Sequence, residues 1–178
     1  MKNIIFLLLA LLSVACTNQQ KDQKSQNENE AVLSRHSWSL EKLWESDTLL
    51  RTCESVRFDK ERKHLFVTCI NGAPWEKDGK GFIALLNLDG SIKSQSWVTG
   101  LDAPKGMCLM DDLLYVADMD HIVVIDIDNA TIKKRIDIPG AAQLNDIDID
   151  SKGKIYFTDS ETGWIWTMVD DHPKQWIE

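Results

Sequence analysis

The sequence is short of the residue types that build thiolate and nucleophilic sites. Its 178 residues include four cysteines, and no Cys-x-x-Cys pair or Cys/His cluster is present. We therefore expect neither a zinc–thiolate site nor a cysteine nucleophile. No glycine-rich phosphate loop and no Ser/His/Asp arrangement occurs. The histidines have no partner at ligand or triad spacing and are expected in loops or at the surface; they are His36, His64, His121 and His172.

Basic residues are outnumbered by acidic ones. The sequence has 20 lysines and arginines and 28 aspartates and glutamates, and its formal net charge is −8 at pH 7. Such a protein repels nucleic acid and anionic lipid. We therefore expect no nucleic-acid partner and no electrostatic attachment to a membrane.

No apolar run is long enough to cross a bilayer, but a short one lies at the start of the chain. Residues 4–12 are apolar, follow Lys2 and precede Ser13-Val14-Ala15-Cys16. The pattern resembles a bacterial lipoprotein signal, in which the cysteine becomes the lipidated first residue. It predicts a signal over residues 1–15 and a lipid anchor on Cys16. An ordinary secretory signal that is cut nearby is the alternative.

The stretch that follows is polar and has no apolar periodicity. Residues 16–35 are rich in Gln, Asn and Lys, which is typical of a disordered tether. A tethered and lipidated chain would lie in the cell envelope, facing the periplasm or the cell surface. Only its lipid would contact the membrane.

One strand pattern recurs three times in the remaining chain. The copies are Leu65-Phe66-Val67-Thr68-Cys69, Leu114-Tyr115-Val116-Ala117-Asp118 and Ile155-Tyr156-Phe157-Thr158-Asp159, at offsets of 49 and 41 residues. A period of this length with about four strands per unit indicates β-propeller blades. The sequence thus predicts an all-β fold, a β-propeller domain over residues 36–178, with about three four-stranded blades near residues 54–100, 101–140 and 141–178.

Three blades are too few for a closed ring, since closed propellers use roughly four to eight. The predicted ring is therefore incomplete, and its first and last blades would present uncovered faces. We expect either a natural chain that continues beyond Glu178, which we favour, or a homodimer in which two chains complete one ring. Residues 38–44 fit a short helix or a strand, and we favour a strand. Only residues 175–177 are assigned to the outermost strand of the last blade.

The body of the domain contains Cys53, Cys69 and Cys108. Cys53 and Cys69 flank one predicted hairpin and could form a disulfide in an oxidising compartment. Buried free thiols are the interpretation that we favour for Cys53 and Cys69.

Two blades carry a family resemblance. Asn145-Asp146, followed by Asp150, Gly153 and Ile155-Tyr156-Phe157-Thr158, resembles the Asn-Asp strand of the regucalcin and gluconolactonase family of six-bladed propellers. The segment Cys53-Glu54-Ser55-Val56-Arg57-Phe58 resembles the opening Gly-Glu-Ser-Pro-x-Trp of that family. The second blade has a generic pattern shared with NHL-type repeats.

The resemblance implies a divalent metal, calcium or zinc, with Glu54 and Asn145 among its ligands and further ligands beyond Glu178. It also implies a metal-dependent lactone or ester hydrolase, with Asp146 as a candidate base. Lys105 occupies the corresponding position of the second blade and is a candidate contact for an anionic substrate, or else a solvent-exposed lysine at the rim.

Fold alone does not decide function, so other interpretations stay open. The chain could be a non-catalytic lipoprotein propeller that binds a small molecule, a peptide, a glycan or a protein. It could also be an inactive fragment.

Overall fold

The computed structural model describes residues 38–177 of the chain. The chain divides into two units, Met1–Leu43 and Trp44–Glu178, and every described strand lies in the second. In the first unit only residues 38–43 are described, and they form neither helix nor strand. The predicted signal, Cys16 and the tether lie outside the described residues.

Twelve strands form three antiparallel sheets of four, and in each sheet the strands follow one another in chain order. The first sheet contains β1 (Cys53–Asp59), β2 (His64–Cys69), β3 (Gly81–Leu86) and β4 (Ile92–Leu101). The second contains β5 (Pro104–Met110), β6 (Leu113–Asp118), β7 (His121–Asp126) and β8 (Thr131–Asp137). The third contains β9 (Leu144–Ile149), β10 (Ile155–Asp159), β11 (Ile165–Val169) and β12 (His172–Ile177). The prediction of three four-stranded blades of a β-propeller is confirmed.

The core lies between the sheets, and the middle sheet supplies side chains to both sides of it. Val116 and Val123 pack towards the first sheet, in a cluster that includes Phe66. Ile122 and Val124 alternate with Val123 and pack towards the third sheet instead. Because side chains alternate between the faces of a strand, a strand that is covered on both faces must be apolar throughout. This explains the continuous run at residues 122–125.

Two local predictions are corrected. Residues 38–44 do not form a strand. Trp44 instead packs its ring over the turn at Gly90, where an added Cβ would come within 2.3 Å of the ring. The outermost strand of the third sheet begins at His172 rather than near residue 175, because Asp170 and Asp171 both adopt left-handed backbone conformations and form a two-residue turn.

The outer face of the third sheet carries an apolar groove of about 450 Å³. Tyr156, Ile165 and Trp176 line it, and the rings of Tyr156 and Trp176 lie 5.2 Å apart in an edge-to-face arrangement. Over the part of the chain that the structure describes, no helix has the length and apolarity needed to traverse a bilayer.

Candidate functional site

The inner strands β1, β5 and β9 lie side by side, since β5 contacts both of the others. Glu54, Lys105 and Asn145 are each the second residue of their inner strand. The sequence predicted that these positions are equivalent in the three blades, and the strand bounds agree. We call Glu54, Lys105, Asn145 and Asp146 the inner-strand cluster.

A bulge shapes the backbone at this point in all three sheets. The register between the first two strands shifts after Cys53 in the first sheet and after Pro104 in the second. It shifts between Phe157 and Asp159 in the third. A bulge inserts an extra residue and changes the direction of the side chains next to it. Because the bulge lies at the same place in each sheet, the cluster residues have a similar backbone environment in all three blades.

Threonine hydroxyls cap the bulges of the first and third sheets. The backbone N–H of Ser55 donates to Thr68 Oγ1 at 2.9 Å, and that of Asp146 donates to Thr158 Oγ1 at 3.0 Å. In the second sheet, Gly106 occupies the position that Ser55 and Asp146 have in the other two. An added Cβ there would lie 2.8 Å from the carbonyl oxygen of Asn145, so glycine allows β5 and β9 to approach closely.

Glu54 and Asp146 are exposed carboxylates on strands that flank β5. Partial burial is the largest cause of a raised pKa at Glu54; the charge of Lys105 opposes the rise and that of Asp146 adds to it. Among the described residues, none donates a hydrogen bond to the carboxylate of Glu54 or of Asp146. The two acids thus repel each other and remain available to a cation.

Asn145 is half-buried, and its amide nitrogen donates to Ser160 Oγ at 3.1 Å. This contact directs the amide oxygen away from Ser160. The structure therefore brings Glu54, Asp146 and Lys105 into electrostatic contact and ties the Asn145 side chain to the loop after β10.

Lys105 is only 3% exposed, so it is not a solvent-exposed lysine at the rim. Its ammonium donates to the carbonyl oxygens of Pro74 at 2.6 Å and Ala103 at 3.2 Å, and lies 4.2 Å from the centre of the Trp75 ring. Burial lowers the pKa of Lys105, and the charges of Glu54 and Asp118 act in the opposite direction. The long loop after β2 therefore covers this lysine. Its role as a substrate contact stays a prediction.

A second polar cluster lies at the turn between β6 and β7. Asp102, Asp118 and His121 place ligand atoms within 4.8 Å of one another and could hold a metal ion. His121 Nδ1 lies 3.2 Å from Asp120 Oδ1, and Nε2 is buried 3.6 Å from Asp118 Oδ2. Burial is the largest single effect on His121 and lowers its pKa, but its contacts with the carboxylates of Asp118 and Asp120 and their negative charges outweigh burial and raise the pKa overall. The expectation that His121 is a surface or loop residue was wrong.

Asp118 also has a structural task that limits its use as a ligand. It accepts hydrogen bonds from the backbone N–H groups of Asp102 at 2.9 Å and Ala103 at 2.7 Å, just before β5. Asp159 does the same just before β9, accepting from Ala142 at 2.8 Å and Gln143 at 3.2 Å. We call each arrangement an aspartate clamp.

The His121 cluster had a signal that sequence reasoning missed. Asp118 and His121 are separated by two residues, and the tight turn pairs them directly across β6 and β7. Two polar residues on either side of a two-residue turn are expected to meet, so the pair could have been found from the predicted hairpin. No comparable sequence pattern indicated that the loop after β2 covers Lys105.

Comparisons with known proteins support the fold. No family model and no curated protein matches the sequence. The structure is similar to a chain in the crystal structure of a nidogen/laminin complex, with a TM-score of 0.58 and 18% sequence identity. The match covers 74% of this chain and 49% of the other, so the chain spans about half the length of the structure that it resembles. The likeness shows a propeller fold, and the regucalcin resemblance stays a prediction.

Proposed function

We propose that this chain is a non-catalytic propeller module that binds a basic segment of a protein partner at the inner-strand cluster. The observation that carries the proposal is the pair of exposed carboxylates, Glu54 and Asp146, held on the two inner strands that flank β5 without hydrogen-bond donors from the described residues. A lysine or arginine side chain that enters between them would relieve their repulsion.

The contacts of Lys105 favour a cationic ligand over an anionic one. Its ammonium is already bound to two carbonyl oxygens and covered by Trp75. An anionic substrate would have to displace these contacts to reach it. The two carboxylates beside it are open to solvent and need no such rearrangement.

The fold is compatible with protein recognition. The solved structure that this chain resembles is part of a nidogen/laminin complex, which is a complex between proteins. The acidic net charge of −8 favours a basic partner over an acidic one.

Binding of synthetic peptides tests this proposal. A flexible peptide with four lysines is titrated into the protein by calorimetry, and the same peptide with four glutamates serves as the ligand control. We expect Glu54→Gln and Asp146→Asn each to weaken binding of the basic peptide about fivefold, which corresponds to about 1 kcal/mol. Asp137→Asn removes an exposed carboxylate on an outer strand and is expected to change nothing. Equal effects of all three substitutions would contradict the proposal.

A metal-dependent lactone or ester hydrolase is the second candidate. The carboxylate of Glu54 and the amide oxygen of Asn145 would hold the metal, and these oxygen atoms suit a hard cation such as calcium better than zinc. They fit as part of a coordination shell, because calcium takes six to eight oxygen ligands. A cation held there would supply Lewis-acid chemistry to a substrate carbonyl. Asp146 would be the candidate base beside it.

Turnover of a chromogenic lactone with and without calcium separates the two candidates. Hydrolysis that requires calcium and is lost in Asp146→Asn favours the hydrolase. Peptide binding that is unchanged by a chelator, with no lactone turnover, favours the binding module.

We also propose that the module is held in the cell envelope by a lipid on Cys16. Support comes from the resemblance of residues 1–16 to a lipoprotein signal. The mass of the protein recovered from bacterial membranes tests it, since a diacylglyceryl group and an acyl chain add several hundred daltons to a chain that begins at Cys16. Cys16→Ser is expected to appear in the soluble fraction, and recovery of an unmodified chain would rule out the anchor.

A second copy of this chain is the partner that we propose for the apolar groove on the third sheet. Val56 and Phe58 are 61% and 46% exposed on β1, so the first sheet offers apolar surface to a neighbour as well. Joining these faces in two copies would complete one ring. Analytical ultracentrifugation is expected to give the mass of two chains, and Trp176→Ser to shift it to one. A single-chain mass for the unaltered protein at high concentration would overturn this proposal.

A further inference from the structure

Cys53 and Cys69 lie opposite each other in the first sheet. The register pairs them across β1 and β2, and their sulfur atoms are 3.6 Å apart. The next residue, Ile70, donates its backbone N–H to the carbonyl oxygen of Thr52 at 3.0 Å. The cysteines therefore occupy a non-hydrogen-bonded pair of antiparallel strands, in which Cα atoms lie about 4.5 Å apart. That separation falls within the range of disulfides.

The position of Cys69 is informative, because it corresponds to the aspartate clamps. Cys69 ends β2 just as Asp118 ends β6 and Asp159 ends β10. Each aspartate fastens the backbone that enters the inner strand of its own sheet. Cys69 has no carboxylate for this task, and the side chain that it contacts is Cys53, the first residue of β1. The first sheet therefore lacks the clamp of the other two unless the sulfurs are bonded.

We propose that Cys53 and Cys69 form an intramolecular disulfide that fastens β1 to β2 in place of an aspartate clamp. The Cys53 thiolate attacks one sulfur of an external disulfide, such as oxidised glutathione, and releases one glutathione thiolate. The Cys69 thiolate then attacks Cys53 Sγ and releases the second. The cysteines together lose two protons and two electrons, and the glutathione disulfide is reduced to two thiols.

The two thiols differ in access, which sets the order of these steps. Cys53 is exposed and Cys69 is fully buried. Burial, and secondarily the neighbouring Cys53, raise the pKa of the Cys69 thiol to about 12. Cys53 therefore meets the oxidant first, and ring closure by Cys69 is the slow step, which higher pH accelerates. The expectation that Cys53 and Cys69 are both buried was wrong for Cys53.

Peptide mapping of the oxidised full-length protein tests the proposal. The protein with Cys16→Ser is incubated with oxidised glutathione, denatured, alkylated with iodoacetamide and digested with trypsin. We expect peptide 52–57 joined to peptide 64–77, at a mass about 2 Da below the sum of the two reduced peptides. Peptide 106–133 is expected to carry an alkylated Cys108, since that thiol is buried and its pKa is raised to about 12 by burial.

Thermal unfolding provides the second readout. A disulfide that closes a loop of this length is expected to raise the midpoint by roughly 5 to 10 °C. Cys53→Ser, which alters an exposed residue, is expected to abolish the increase on oxidation, whereas Cys108→Ser is expected to retain it. Recovery of peptide 52–57 as a stable glutathione adduct, with Cys69 alkylated and no joined peptide even at pH 9, would overturn the proposal.

Discussion

Arg57 and Asp148 form an ion pair of 3.3 Å between Nη2 and Oδ1, although they belong to the first and third sheets. Arg57 Nε also donates to the carbonyl oxygen of Met107 on the strand between them, at 2.8 Å. One side chain thus links all three inner strands.

The two partners of this link are expected to contribute unequally. Because the Asp148 side chain is 78% exposed, we expect Asp148→Asn to change the free energy of unfolding by less than about 0.5 kcal/mol. Arg57→Met also removes the hydrogen bond to Met107 and is expected to cost about 1 to 1.5 kcal/mol. Urea unfolding of both variants and of the double variant measures this difference. A loss in Asp148→Asn as large as that in Arg57→Met would show that the ion pair dominates.

Arg62 joins the first sheet to the second at the other end of the inner strands. It contacts Asp59 at 3.2 Å, Asp112 at 2.6 Å and Asp128 at 2.9 Å. Arg62→Met is expected to lower the free energy of unfolding by about 2 kcal/mol, because Asp59 is buried and would keep its charge with fewer donors. Lys60→Met, at an exposed position of the same turn, is the matched control. Equal losses in the two variants would contradict this interpretation.

The same contact predicts a dependence on pH. Burial acts to raise the pKa of Asp59, but hydrogen bonds from Arg62 and Glu61 lower it overall. Its contribution is therefore complete above the unfolded pKa of about 3.9 and is lost as the pH falls through the lower folded value. The unaltered protein is expected to lose more stability than Asp59→Asn between pH 5 and pH 3. Parallel curves from urea unfolding at several pH values would exclude a contribution from Asp59.

The aspartate clamp of the third sheet is expected to be a strong single contributor to stability. Besides Ala142 and Gln143, Asp159 accepts backbone hydrogen bonds from Glu161 at 3.0 Å and Thr162 at 3.2 Å, and it is 2% exposed. Asp159→Asn replaces one accepting oxygen by a donor and is expected to cost about 2 to 4 kcal/mol.

Hydrogen exchange of the backbone amides around residue 142 checks this prediction. Protection there is expected to fall in Asp159→Asn and to be unchanged in Asp137→Asn, which alters an exposed residue. Unchanged exchange in both variants would show that the loop is held by its other contacts.

The two candidate metal positions make different predictions. If calcium raises the midpoint of thermal unfolding, we expect Glu54→Gln to remove most of the increase and His121→Gln to retain it. The carboxylate of Glu54 is open to solvent, whereas the His121 ring is buried and its Nδ1 already lies 3.2 Å from Asp120 Oδ1. Differential scanning fluorimetry measures the midpoints of both variants, first with calcium and then with zinc. An increase that is lost only in His121→Gln would place the ion at the turn between β6 and β7.

Much of the fold could be predicted from the sequence because its signals are local. The second copy of the recurring strand pattern covers residues 114–118, and the structure has β6 at Leu113–Asp118. Alternating apolar residues and turn dipeptides decide such elements within a few positions of the chain. The start of β12 was missed because Asp170 and Asp171 form a left-handed turn without the glycine that usually marks one.

The surroundings of individual side chains could be predicted less well. The covering of Lys105 depends on Pro74 and Trp75, about thirty positions away in a loop without periodicity. The exposure of Cys53 depends on how the chain enters β1, and the burial of His121 depends on its neighbours across a turn. The contacts of Lys105 and Cys53 leave no regular pattern in the sequence, whereas the pairing of His121 with Asp118 follows from the predicted hairpin.

The sequence by itself determined the class of fold and the number of sheets, because side-chain alternation and the repeat period are properties of neighbouring residues. The resemblance of two blades to a known family singled out Glu54 and Asn145, and Lys105 followed as the corresponding position of the second blade. Tertiary structure decided which polar groups meet and which stay open to solvent. Its contacts join residues that lie about 30 to 90 positions apart, where burial and charge depend on the packing of whole sheets. The availability of Glu54 and Asp146 and the covering of Lys105 arise at that level.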